Sequence, residues 1–121
     1  MNPRSLSGQV IGGTAQGIGT ALLEEFVYDE EGRLTNASYQ DYLIPSAMEV
    51  PEMVVGHHET PSPYTVHGIK GGGEGGRMVA PSAVSSAIDD ALEPLGVHVD
   101  ELPATPERVL GWIEEAKVRS S

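Results

Sequence analysis

The stretch "SLSGQVIGGTAQGIGTALLEEF", residues 5–26, decides how this chain folds, because five glycines run directly into an apolar stripe. Ile18, Leu22, Leu23 and Phe26 fall on one side of a 3.6-residue period, and this spacing predicts a helix over residues 14–27. Gly17 and Gly19 weaken the first turns of such a helix, so some other requirement must favour glycine there. What that requirement is sets the reading of everything downstream.

Beyond this stretch, "YDEEGRLTNASYQDYLIP" reads as a β-hairpin: Gly32 suits a left-handed turn position, the second arm alternates toward Tyr39 and Tyr42, and Pro45 ends it. Residues 50–66 carry Pro51, Pro61 and Pro63, which predicts extended segments and loops with a short strand near Met53–Gly56. A second helix is expected in "APSAVSSAIDDAL", with Ala80, Val84, Ala87, Ile88, Ala91 and Leu95 on its face and Pro81 in its first turn. "TPERVLGWIEEAK" predicts a third: Thr105 caps, Pro106 occupies the first position, and Val109, Leu110, Trp112 and Ile113 supply the buried face. The expected fold is therefore α+β, two or three helices against a small, mostly antiparallel sheet, in a single module over residues 1–121.

Composition narrows the function classes. The chain is long enough for one domain, but 39% hydrophobic and 5% aromatic content, with 15 glycines and 9 prolines, predicts a thin core. A net charge of −11, with Lys70 and Lys117 the only lysines, repels polyanions and argues against nucleic acid as a partner. The acidic runs at Glu24–Glu25, Asp29–Glu31, Asp89–Asp90 and Glu114–Glu115 read as solvated faces. Absence of cysteine excludes disulfides, zinc–thiolate sites and iron–sulfur clusters ligated by this chain. No apolar run is long enough for a membrane-spanning helix and the N-terminus lacks a signal-peptide pattern, so a cytoplasmic location is expected.

Three stretches carry chemistry. "HGIKGGGEGG", residues 67–76, surrounds Glu74 with glycines and places Lys70 just upstream. By itself such a run reads as a flexible surface loop, or as a backbone that must approach a ligand while one acid faces it. Glu74 also precedes a predicted helix N-terminus, where N–H groups favour anions. The second stretch, "SGQVIGGTAQGIG", resembles the TGxxxGxG turn of short-chain dehydrogenases, with Gly13, Gly17 and Gly19 on the glycines and Gly12 in place of the threonine. Against that, the preceding strand would be only "QVI", and no Tyr stands four residues before either lysine. The third, His57, His58 and His67 with Glu59, is a poor metal set, because adjacent residues of an extended chain point to opposite sides.

Taken in order, "NP…GQ", "GGTAQGIG", "EE…YDEEG", "DYLIP" and "KGGGEGG" resemble the C-terminal portion of the molybdenum-binding large subunit in the xanthine dehydrogenase and aerobic carbon monoxide dehydrogenase family, from Asn2 to about Trp112. The resemblance implies molybdopterin with molybdenum, in bacterial members usually as molybdopterin cytosine dinucleotide. It implies hydroxylation of a small substrate with oxygen from water, with 2Fe-2S clusters and FAD on partner chains: the remainder of the large subunit, an iron–sulfur subunit and a flavin subunit. By motif match Glu74 is the general base of the family's "KGxGE" loop, Gln9 the "GQ" glutamine near the pterin, and Gln16 and Gly17 lie in the "QGxG" segment. Gly71, Gly72 and Gly73 would let the backbone hug the cofactor, and Lys70 would fix the loop or face an anionic cofactor group. Molybdenum would take no ligand from this chain. The family's large subunit is several times longer and this chain starts at a point internal to it, so a separate C-terminal subunit or a fragment is expected, inactive alone and active within a hetero-oligomer. A non-catalytic assembly module of such a complex is the alternative. The substrate (CO, purine, aldehyde or N-heterocycle) stays open.

Overall fold

The computed structural model describes residues 2–120. It consists of three α-helices, α1 (Pro3–Leu22), α2 (Gly75–Leu92) and α3 (Pro106–Arg119), with single 3₁₀ turns at Val66–Gly68 and Glu93–Leu95. Among the described residues, no helix is long and apolar enough to cross a membrane.

α1 begins eleven residues before the position expected from its apolar stripe. Asn2 caps it, its Oδ1 accepting the N–H groups of Arg4 at 3.0 Å and Ser5 at 3.3 Å, and Pro3 takes a first-turn position that needs no N–H partner. All the early glycines thus lie inside a helix. The reason is on the facing surface. A Cβ on Gly17 would come within 2.5 Å of the Ala80 Cβ and 3.2 Å of the Arg77 carbonyl; one on Gly13 would meet the Arg77 N at 3.1 Å. From the other side, a Cβ on Gly76 would strike the Val10 carbonyl and the Thr14 side chain. Gly13 and Gly17 on α1, and Gly76 and Ala80 on α2, are each four residues apart, so small residues mesh on both helices and the backbones come close. The contacts advance together, residue 13 with 76–77 and residue 17 with 80–81, so the two helices run in the same direction here.

The expected α+β class is overturned. Among the described residues the only β pairing is one antiparallel bridge, Tyr28 with Leu34, and there is no sheet. The hairpin's corner forms as expected: Gly32 is left-handed at φ 76°, and Asp29 Oδ1 accepts the N–H groups of Glu31 and Arg33. The ladder then stops because a side chain takes its place. Asn36 Oδ1 accepts the Val27 N–H at 3.0 Å and its Nδ2 donates to the Glu25 carbonyl at 2.6 Å, occupying the groups that a second arm would pair with. Residues 38–42 close into a turn through Tyr42 N–H to the Ser38 carbonyl, and the expected strand near Met53–Gly56 is irregular.

α2 starts at Gly75, five residues before the expected stretch, so Pro81 lies inside the helix and not in its first turn. Gly96, left-handed at φ 66°, ends the turn after α2. The Ala104 N–H donates to the Ala21 carbonyl at 2.7 Å, returning the chain to the end of α1. α3 matches its expected cap and first turn, the Thr105 hydroxyl accepting the Arg108 N–H and Pro106 opening the helix. Of its expected buried face, however, Val109, Trp112 and Ile113 are half-buried and Leu110 is exposed, and Ala116 is its buried residue. Arg108 also donates to the Pro103 carbonyl and to Glu25, tying α3 to the segment that leaves α1. Among the described residues, the buried apolar side chains are Ile18, Ala21, Ala80, Val97, Ala104 and Ala116, drawn from the three helices and the 97–104 segment.

Candidate functional site

The α1–α2 contact continues beyond the end of α2 into the glycine loop. A Cβ on Gly72 would touch the Leu6 side chain at 3.0 Å, and Gln9 Nε2 donates to the Gly73 carbonyl at 2.7 Å. The first half of α1 is therefore a platform on which residues 72–76 lie. Gln9 thus holds the residue that precedes Glu74, 64 positions away in sequence.

Glu74 is the N-cap residue of α2. Its carbonyl accepts the Met78 N–H at 3.1 Å, but its side chain does not cap the helix. Among the described residues its carboxylate has no hydrogen-bond or ion-pair partner, and the residue is exposed. Gly71, Gly73 and Gly75 each have open space where a Cβ would stand. The result is a carboxylate on a strip of bare backbone, next to α2 N–H groups that no side chain caps.

Two devices shape the approach to this strip. His67 and Gly68 are both left-handed, at φ 58° and 68°, and a Cβ on Gly68 would come within 2.6 Å of the Pro61 side chain, so the reversal needs glycine there. The Gly68 carbonyl accepts the Ser62 N–H, and Lys70 Nζ donates to the Thr60 hydroxyl at 2.7 Å.

The other sequence-derived residues separate. Gln16 is exposed on α1, two turns beyond Gln9 on the same side and about 10 Å along the axis. Gly17 is buried against Ala80 and Pro81, where its missing Cβ is used by the helix crossing. Gly13, Gly17 and Gly19 all lie within α1, so the strand–turn–helix of a dehydrogenase nucleotide turn is not formed and that alternative fails. Among the described residues no three His, Cys, Asp or Glu side chains gather as a metal site, His57, His58, His67 and Glu59 included. Sequence reasoning missed Thr60, the partner of Lys70, which nothing in the pattern marks. It also missed the helix crossing, whose signal was legible: small residues four apart in both segments, 13/17 and 76/80.

Residues 1–51 match the model of the molybdopterin cofactor-binding domain. The chain is 46% identical over 110 residues to the nicotine 6-hydroxylase large subunit of Paenarthrobacter nicotinovorans, covering 91% of this chain and 14% of that protein. It is 34% identical to the carbon monoxide dehydrogenase large chain of Afipia carboxidovorans, over 85% of this chain and 13% of that one. The fold superposes on quinoline 2-oxidoreductase from Pseudomonas putida 86 with a TM-score of 0.91 and 47% identity, over 94% of this chain and 14% of the other. The chain thus spans 14% or less of the length of these relatives. It is, over nine-tenths of its own length, a segment related to the molybdopterin-binding large subunits of the xanthine dehydrogenase and carbon monoxide dehydrogenase family.

Proposed function

We propose that this chain is the C-terminal molybdopterin-binding segment of a molybdenum hydroxylase large subunit and that Glu74 is the general base of its active site. The observation that carries this reading is the unpaired, exposed Glu74 carboxylate on bare glycine backbone beside uncapped helix N–H groups. A pterin is a flat ligand rich in hydrogen-bonding groups, and this surface fits one: open space before Gly71, Gly73 and Gly75, and the Gln16 amide exposed on the neighbouring helix. When bound, the molybdenum cofactor, as molybdopterin cytosine dinucleotide, supplies the two-electron oxidation. The chain's own part is acid–base chemistry and positioning. Glu74 accepts the proton of the water-derived oxygen, which needs a carboxylate placed within hydrogen-bond reach and not one of unusual strength. Gly71–Gly73 let the backbone approach, and Lys70 and Gln9 hold the loop.

The rest of the large subunit, an iron–sulfur chain carrying 2Fe-2S clusters and a flavin chain carrying FAD complete the assembly in this reading. The identities favour an N-heteroaromatic substrate: 46–47% to the nicotine and quinoline enzymes against 34% to the carbon monoxide enzyme. The test is Glu74→Gln in the complete subunit assembled with its partners. Turnover should fall by roughly 10²–10⁴-fold, the range for losing a positioned base, with molybdenum content unchanged. Wild-type turnover in that variant would assign the segment to the second reading, a non-catalytic assembly module. That reading is supported by the breadth of exposed apolar surface described below.

A further inference from the structure

We propose that Gln9 is a positioning residue that sets the orientation of Glu74 by holding the peptide in front of it; this rests on the reading of Glu74 as the base. The Gly73 carbonyl that Gln9 grips belongs to the same peptide plane as the Glu74 N–H. Fixing that plane fixes the backbone on the N-terminal side of Glu74, while the bond from Met78 N–H to the Glu74 carbonyl fixes the C-terminal side as the first turn of α2. Without the Gln9 bond, residues 71–73 are three consecutive exposed glycines, two of them with nothing within 4 Å of a Cβ position. Such a segment has little of its own to select one conformation. The donor is itself held firmly, because Gln9 sits next to Val10, whose carbonyl Gly76 packs against, and α1 is close-packed on α2 from there onward. The helix crossing and the side-chain clamp thus act on the two ends of the same short strip.

The assignment gives the Gln9 amide nitrogen a specific task, donation to a carbonyl, distinct from a contact between Gln9 and the cofactor. The variant Gln9→Glu keeps the reach and removes the donor, Gln9→Leu removes it with a shorter apolar side chain, and Gln9→Lys restores a donor without an acceptor. They are placed in the complete large subunit and read by three measurements: amide hydrogen exchange over residues 70–77, kcat and KM separately, and molybdenum and pterin content. Exchange over the loop should rise about tenfold in the Leu and Glu variants. kcat should fall at least about tenfold with KM within about twofold, because a misplaced catalytic group costs rate more than binding. Cofactor content should not change, and Gln9→Lys should recover most of both losses.

Unchanged exchange overturns the proposal, as does faster exchange with unchanged kcat. Loss of cofactor with exchange unchanged also overturns it, since Gln9 would then be a cofactor contact. If Glu74→Gln retains wild-type turnover, the base reading fails separately; the clamp is then decided by exchange alone, faster exchange supporting it and unchanged exchange overturning it.

Discussion

Gly12 and Gly17 lie in the same helix and should respond in opposite directions to the same substitution. Gly12 is exposed, and a Cβ there meets nothing within 4 Å, so Gly12→Ala should stabilise α1 by roughly 0.5–1 kcal/mol through the lower backbone entropy of alanine. Gly17→Ala drives a methyl against the Ala80 Cβ and the Arg77 carbonyl, a backbone atom that cannot turn aside. The helices would have to separate, at about 1–3 kcal/mol for overpacking. Thermal melts of the two variants check this; a rise for both would mean that α1 and α2 do not cross at these residues. The same pair shows what residue-level reading could not supply. Helix propensity treats Gly12 and Gly17 alike; the four-residue spacing of Gly13 and Gly17 hints at a crossing, and what lies opposite shows which glycine is required. Glu74 stands out in the sequence because its neighbours have no side chains, and the structure adds that its carboxylate is exposed. Gln9 was visible as a motif residue, but its partner lies 64 positions away and no local pattern names it.

At the scale of elements, α3 was read almost to the residue, because its signals are local: a threonine cap, a proline in the first turn and an apolar face behind them. α1 and α2 were each started too late. Their opening turns are glycine-rich, helical only because each helix packs on the other, and propensity gives no hint of that. The hairpin failed differently: its corner was right, but Asn36 ended the ladder after a single bridge. That corner carries a pH dependence. The Arg33 N–H, and next the Arg33 side chain, hold the Asp29 carboxyl below its ordinary value of 3.8. A lowered carboxyl pKa gives stability that is fully present above 3.8 and lost as pH falls through the lower folded value. NMR shifts of residues 28–35 should therefore hold steady from neutral pH to about pH 4 and move toward random-coil values below it. Asp29→Asn should abolish that acid transition; an unchanged one would mean that another group controls the turn.

At the scale of the whole molecule, the balance of buried and exposed apolar surface is unlike that of a self-sufficient domain. The buried apolar set contains four alanines, one isoleucine and one valine, with no aromatic ring among them. Meanwhile Val54 is 100% exposed, Tyr64 94%, Met48 89% and Tyr39 88%, all four on the irregular segment between α1 and α2. Soluble monomers rarely leave so much large apolar surface uncovered, whereas faces that dock on other protein do. In the reading proposed above, the remainder of a large subunit would be the cover, since this chain spans 14% of its relatives' length. The net charge of −11 gives repulsion that opposes association between isolated copies, so the uncovered surface should show itself before aggregation intervenes. The chain alone should therefore display helical circular dichroism, bind a hydrophobic dye, and melt over a broad range, because so small a core cannot enforce a single cooperative transition. Co-expression with the complementing part of the subunit should suppress dye binding and sharpen the melt. A sharp two-state transition without dye binding in the isolated chain would show that the α1–α2 crossing and the alanine core suffice by themselves, and that the exposed segment is not an interface.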